Sequence, residues 1–443
     1  MGGPAAGRST GDRVTAAEGS EARMSSWMSH GRRRSAPCAV RRGLVCAVAM
    51  VGAWTTGVVA AAPEAAAVED MRSQQWYLDA MKVEKVWSVA QGEGVKVAVI
   101  DTGVNPSTRS LKGQVLKGLD LTGAPGDETD DYEGHGTTMA ELIAGTGAGG
   151  GLQGLAPKAK IIPYRIALDE FQEEHKTGAF DGADAIRAAA DGDAQIISMS
   201  FGSEFPETKE QQAIEYAARK GKLLFAAVGN TGDEDNEPEY PALYPEVVGV
   251  SASSPEGRID DYSQHGQVVD LAAPGSDIPG WCDTTFTRYC DSDGTSAATA
   301  VASATAALIW SANPDWTANQ VLRVMFESAA KGKDGKATGM SRYSGYGVVR
   351  PGAHLNRGIG KPGDPDISPL TGQRTSGPSG APKGTASPRP KGTAGAQAGE
   401  KTEATADAGD GGGSRTGLIA GGVAAVLAVA AVAVLAVRRR RSA

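Results

Sequence analysis

The chain has 443 residues, with 60 Gly, 23 Pro, five His, four Cys and a formal net charge of −8. That length accommodates one large domain plus appendages rather than a single compact body. Eight arginines fall within residues 1–62 and four more at Arg438–Arg441, so the body between them is strongly acidic, repels phosphate backbones and excludes nucleic acid as a partner.

At the N-terminus, Arg32, Arg33, Arg34, Arg41 and Arg42 precede an apolar run over 44–60, and small residues follow through Ala67. This is the layout of a secretory signal peptide, so residues 1–67 are assigned to an N-terminal extension and leader. An uncleaved N-terminal anchor is the alternative; the run is short and interrupted by Gly and Thr, which favours cleavage. Residues 68–93, with Gln75-Trp76-Tyr77-Leu78, form a short segment before the first strand. Cys38 and Cys46 leave with the leader, and the two cysteines that remain, Cys282 and Cys290, suggest one disulfide outside the cell. No further soft ligands lie near them, so no metal site is expected.

Residues 94–357 alternate short apolar runs with helical stretches, the pattern of an α/β fold with a mainly parallel sheet. Strands are predicted over 95–100, 160–166, 195–201, 223–228 and 246–251; they read as continuous apolar runs, as strands covered on both faces do. Helices are predicted over 181–190, 207–220 and 317–329 from apolar spacing of three and four, with a longer small-residue helix over 296–311. Asn313-Pro314 ends that helix.

Residues 358–415 are dominated by Gly, Pro, Ala, Ser and Thr and bury too little to fold, so they read as a flexible linker. A coil of that length has a root-mean-square span of roughly 40–45 Å. Residues 416–437 contain the charge-free run 417–437, which as a helix spans roughly 31 Å, the thickness of a bilayer core. Arg438–Arg441 follow in the tail 438–443. The positive-inside rule places that tail in the cytoplasm and the body outside, anchored to the plasma membrane by a single pass.

Three residues stand in settings suited to chemistry. Asp101 ends an apolar strand and opens Asp101-Thr102-Gly103, at the carboxyl edge of a parallel sheet where α/β proteins place their sites. His135 lies in Gly134-His135-Gly136-Thr137 at a helix start; His30 falls in the leader, and His175, His265 and His354 have turn-like or peripheral surroundings. Ser296, in Gly294-Thr295-Ser296, opens the long apolar helix, where its backbone N–H is an orphan donor and the dipole favours negative charge. Each alone is also a common turn, structural histidine or cap. Their order and their shared Gly-Thr neighbours make the combination specific. The acidic stretch 127–133 reads as a solvated loop rather than a calcium site, because it lacks regular ligand spacing.

On those motifs the sequence resembles the subtilisin-like serine proteases, over about residues 75–357. The resemblance implies a subtilisin-like three-layer fold with helices on both faces of the sheet. It implies a catalytic triad of Asp101, His135 and Ser296 without any cofactor, and an oxyanion hole of Ser296 N–H and Asn230, which ends Phe225-Ala226-Ala227-Val228-Gly229-Asn230. Ser200, Phe201 and Gly202 resemble the family strand that pairs with an extended polypeptide substrate. Ala297 and Ala300 depart from the family's usual larger residue and proline without touching the proton chemistry. The whole layout is similar to the mycosins, membrane-anchored subtilases of type VII secretion in actinobacteria. It implies that 68–93 wraps the catalytic domain and that the enzyme processes secreted proteins beside a type VII membrane complex. The alternatives are a general degradative surface protease and a mainly structural subunit of a secretion complex.

Overall fold

The computed structural model describes residues 70–375, apart from 169–170, 173–174, 176–181 and 332–339. Its centre is a seven-stranded sheet: β1 (Lys96–Asp101), β2 (Leu119–Asp120), β3 (Lys160–Arg165), β4 (Ile196–Met199), β5 (Leu223–Ala227), β6 (Val247–Ser253) and β7 (Leu271–Pro274). The order is β2-β3-β1-β4-β5-β6-β7 and every pairing is parallel. Because successive side chains point to opposite faces, Val97 and Val99 enter one core while Ala98 and Ile100 enter the other. That two-sided burial is why these strands read as unbroken apolar runs.

The helices are α1 (Trp76–Ala80), α2 (Val83–Trp87), α3 (His135–Ala144), α4 (Gly182–Asp191), α5 (Thr208–Arg219), α6 (Thr295–Ala312), α7 (Ala318–Ser328) and α8 (Pro351–Leu355). Residues of α1, α2, α3, α6 and α7 fill the core on one face of the sheet. Those of α4 and α5 fill the other, completing the three layers. Helix α6 is buried from Thr295 through Trp310. Its run of Ala, Ser and Thr permits close approach on every side, which a helix at the centre of a layer requires.

Strands β2 and β7 and the antiparallel hairpin of β8 (Ile278–Trp281) and β9 (Tyr289–Ser292) have no counterpart among the predicted elements. Their residues carry Pro, Gly and Asp, which sequence propensity assigns to turns; tertiary pairing overrides it. Residues 70–93 pack into the body. Tyr77 and Leu78 are fully buried. The Gln75 amide donates to Gln153 O (2.8 Å) and accepts from Gln153 N–H (2.8 Å), while the Trp87 indole donates to Leu155 O (2.8 Å).

Residues 358–375, assigned by composition to the linker, instead lie along α7. Asn319 Nδ2 donates to Pro365 O (2.8 Å) and Gln320 Nε2 to Gly363 O (3.2 Å). Side chains of α7 thus supply the ordering that the segment's own composition lacks. Among the described residues no helix is long and apolar enough to cross a membrane. The stretches read from sequence as a leader, as a linker beyond 375 and as a membrane span over 417–437 lie outside them.

Candidate active site

The carboxyl ends of the central strands carry the predicted site. Asp101 is the last residue of β1 and is 2% exposed. His135 is the first residue of α3, with Gly134 at its N-cap in a left-handed conformation (φ 90°) that a side chain would disfavour. His135 Nδ1 lies 2.7 Å from Asp101 Oδ1, and Asp101 Oδ1 also accepts from Thr102 N–H at 2.8 Å. Two shared hydrogen bonds on one oxygen fix the carboxylate's orientation, and the carboxylate then fixes the imidazole's. Gly136 is needed here: a Cβ at that position would run into the Gly103 carbonyl and lie 3.1 Å from the Asp101 side chain.

Behind this pair stands Asp131, which sequence reasoning placed in a solvated acidic loop. It is 7% exposed. Its Oδ1 accepts from Thr102 Oγ1 (2.8 Å), Glu133 N–H (3.0 Å) and Gly134 N–H (2.8 Å). Its Oδ2 accepts from Thr137 N–H (2.8 Å) and Thr137 Oγ1 (2.6 Å). Thr102 Oγ1 in turn accepts from Gly136 N–H (2.9 Å). One buried carboxylate therefore ties the turn after Asp101 to the first turn of the His135 helix. The only sequence sign of it is its place four residues before His135, with donors at both motifs.

Ser296 is the second residue of α6 and 4% exposed. Asn230 follows β5, and its Oδ1 accepts from Thr295 N–H (2.9 Å) and Thr295 Oγ1 (3.0 Å). A backbone N–H can only donate, so the atom facing it is the amide oxygen and the Asn230 NH₂ is turned the other way. A point at the Cβ position of Gly294 is 3.8 Å from Ser296 N and 3.9 Å from Asn230 Nδ2. The two donors thus flank one small volume at the N-terminus of α6, where the helix dipole adds to their attraction for an anion.

Ser200, Phe201 and Gly202 leave the end of β4 and are buried. The next residue, Ser203, exchanges backbone hydrogen bonds with Tyr240 at 2.8 and 2.7 Å. Cys282 and Cys290 form a disulfide, with their Cα atoms 5.2 Å apart. His175 stacks on Phe171 and His265 on Tyr343, so both serve packing.

Burial works against a charged His135 ring, but the charge and hydrogen bond of Asp101, with Glu133 and Asp131 beyond, outweigh it and raise the pKa from 6.5 to about 9. The pocket thereby stabilises the imidazolium that forms when the neutral ring takes up a proton. A group that takes up a proton beside a fixed carboxylate, a serine at a helix N-terminus and two N–H donors bordering one volume there are the parts that acyl transfer uses.

A subtilase family profile matches residues 92–347. Thermitase of Thermoactinomyces vulgaris is 36% identical over 231 residues, covering 51% of this chain and 78% of thermitase. The major intracellular serine protease of Bacillus subtilis (strain 168) is 36% identical over 208 residues, covering 45% of this chain and 63% of that protein. Among solved structures, MycP1 from the ESX-1 type VII secretion system superposes with a TM-score of 0.58 at 27% identity, covering 70% of this chain and 91% of MycP1.

Proposed function

The chain belongs to the subtilase family and is a serine protease, and from that premise we propose that Asp101, His135 and Ser296 are its catalytic triad. We further propose that it is held outside the cytoplasmic membrane and processes proteins exported by a type VII secretion system. The observation that carries the first proposal is the 2.7 Å contact between His135 Nδ1 and the buried Asp101 carboxylate. It leaves Nε2 as the ring nitrogen for proton transfer.

Ser296 Oγ attacks the scissile carbonyl carbon as its proton passes to His135 Nε2. The resulting oxyanion accepts hydrogen bonds from Ser296 N–H and Asn230 Nδ2. The C–N bond then breaks as the imidazolium protonates the leaving amine, giving an acyl-enzyme. Water repeats the sequence and releases the acid. Asp101 keeps Nδ1 protonated and stabilises the imidazolium. Ser200, Phe201 and Gly202, emerging from β4 beside β1, supply the edge on which an extended polypeptide adds as a strand.

The membrane setting rests on the run 417–437 and Arg438–Arg441, and the secretion role on the likeness to MycP1. The test compares proteins released by cells with the native enzyme and by cells with Ser296→Ala. Processing predicts that one or two exported proteins change in size. Broad changes among unrelated proteins favour a degradative protease. Unchanged products, with export lost only on deletion of the whole protein, favour a structural role.

A further inference from the structure

The β8–β9 hairpin touches both halves of the site. Its second strand ends at Ser292, four residues before Ser296. Its first strand reaches the start of α3: Trp281 N–H donates to Thr138 Oγ1 (2.9 Å), and that hydroxyl donates to Gly134 O (2.8 Å). A Cβ on Gly134, immediately before His135, would lie 3.3 Å from Asp283 O and 3.4 Å from Trp281 Cβ. The hairpin is therefore laid directly against the turn that holds the imidazole. Trp281 pairs with Tyr289 across the two strands, their rings stack with centroids 3.8 Å apart, and the Cys282–Cys290 disulfide closes the ribbon just beyond them.

Beneath this ribbon, on α3 and nearly two turns past His135, lies Glu141. Its side chain is fully buried and its Oε2 accepts from Tyr289 OH at 2.9 Å. Its Oε1 and the indole N–H of Trp281 on the hairpin are both buried, and Thr108 and Trp281 both bear on this carboxyl. Burial pushes the Glu141 carboxyl up to about 7, against the Thr108, Tyr289 and Trp281 groups that favour its charged form. An apolar side chain would fill this place without that desolvation penalty, so packing alone does not account for a carboxyl here. A directional contact does: Tyr289 donates to one fixed oxygen, which sets how the hairpin sits on the helix.

We propose that Glu141 is a positioning residue: through Tyr289 it clamps the disulfide-closed hairpin onto α3, and the hairpin braces the Gly134–His135 turn in its productive place. The inference rests on the reading of His135 as the base. It assigns Glu141 no contact with substrate.

The test measures kcat and KM on a chromogenic peptide amide for full-length variants. Glu141→Leu lowers kcat about tenfold while KM stays within about twofold, as loss of orientation without loss of binding requires. Glu141→Gln still accepts from Tyr289 and keeps kcat within about twofold of native. Tyr289→Phe reproduces the Leu variant's loss, and the double variant is no worse than either single one, because both remove the same contact. Native kcat in Glu141→Leu, a loss confined to KM, or additive losses overturns the proposal. Should Glu141→Leu lack the native circular dichroism spectrum, Tyr289→Phe and the pair Cys282→Ser with Cys290→Ser decide: native kcat in both overturns it, and the same kcat loss in both sustains it. Turnover by Ser296→Ala would instead overturn the triad itself. An inactive Ser296→Ala beside a fully active Glu141→Leu defeats only the clamp.

Discussion

The two halves of the site are held by different physics. The Asp101–His135 half is a polar lattice in which the Asp131 carboxylate gathers donors from both sequence motifs. The Ser296–Asn230 half rests on a helix buried in the apolar core, with one side-chain amide locked by Thr295. Charge-assisted hydrogen bonds fix direction, which a proton carrier needs; packing fixes position, which a nucleophile and its oxyanion donors need. Perturbing the first half is thus expected to alter protonation and its pH dependence, and perturbing the second to alter turnover or stability without moving the pH profile.

The sharpest separation comes from Asp101→Asn. Its kcat falls about 10⁴-fold, because the imidazole loses the partner that sets its tautomer. The loss of Asp101's charge and hydrogen bond, the main influences raising the His135 pKa to about 9, moves the acid limb of kcat/KM to lower pH. In the other half, Asn230→Ala loses about 10²–10³ in kcat with its acid limb in place. A shifted limb there would break the comparison. Asp131→Ala is expected to lose about 10-fold to 10²-fold in kcat through misplacement of the Asp101–His135 pair. A wild-type rate would reduce Asp131 to scaffolding.

The smallest effect on turnover is reserved for the core of α6. Leu308, fully buried, leaves a cavity on replacement by Ala that lowers stability by about 2–5 kcal/mol, measured by denaturant unfolding of the inactive Ser296→Ala protein, which cannot digest itself. In that same protein the raised pKa of His135 makes a signed prediction. Its contribution to stability is fully present below pH 6.5, the group's ordinary value, and is lost as pH rises through about 9. A contribution that grew with pH across this window would contradict the Asp101–His135 interaction.

The five long sheet strands and the four longer helices outside α3 were legible because their periodicity records burial. Val97 to Ile100 are apolar at every position, since both faces of β1 are covered. Asp101, His135 and Ser296, the proposed triad, stand out in the sequence through their glycine-threonine settings, since close backbone approach leaves a local mark. Asp131 was not, because a buried hub and a solvated turn carboxylate look alike until the donors around them are placed. Strand β7 was hidden by Ala272, Ala273 and Pro274, and the β8–β9 hairpin by Gly280 and Pro279, residues whose pairing depends on partners distant in the chain. The packed segment 358–375 was hidden for the same reason: its order comes from Asn319 and Gln320 on α7.

The most direct test of the triad is to treat the full-length protein with a fluorophosphonate that phosphonylates activated serines, and to locate the adduct by peptide mass spectrometry. The prediction is one adduct, on Ser296, formed in step with loss of peptidase activity and absent from His135→Ala. An adduct on another serine that tracks the lost activity, or cleavage that survives in Ser296→Ala, would contradict it.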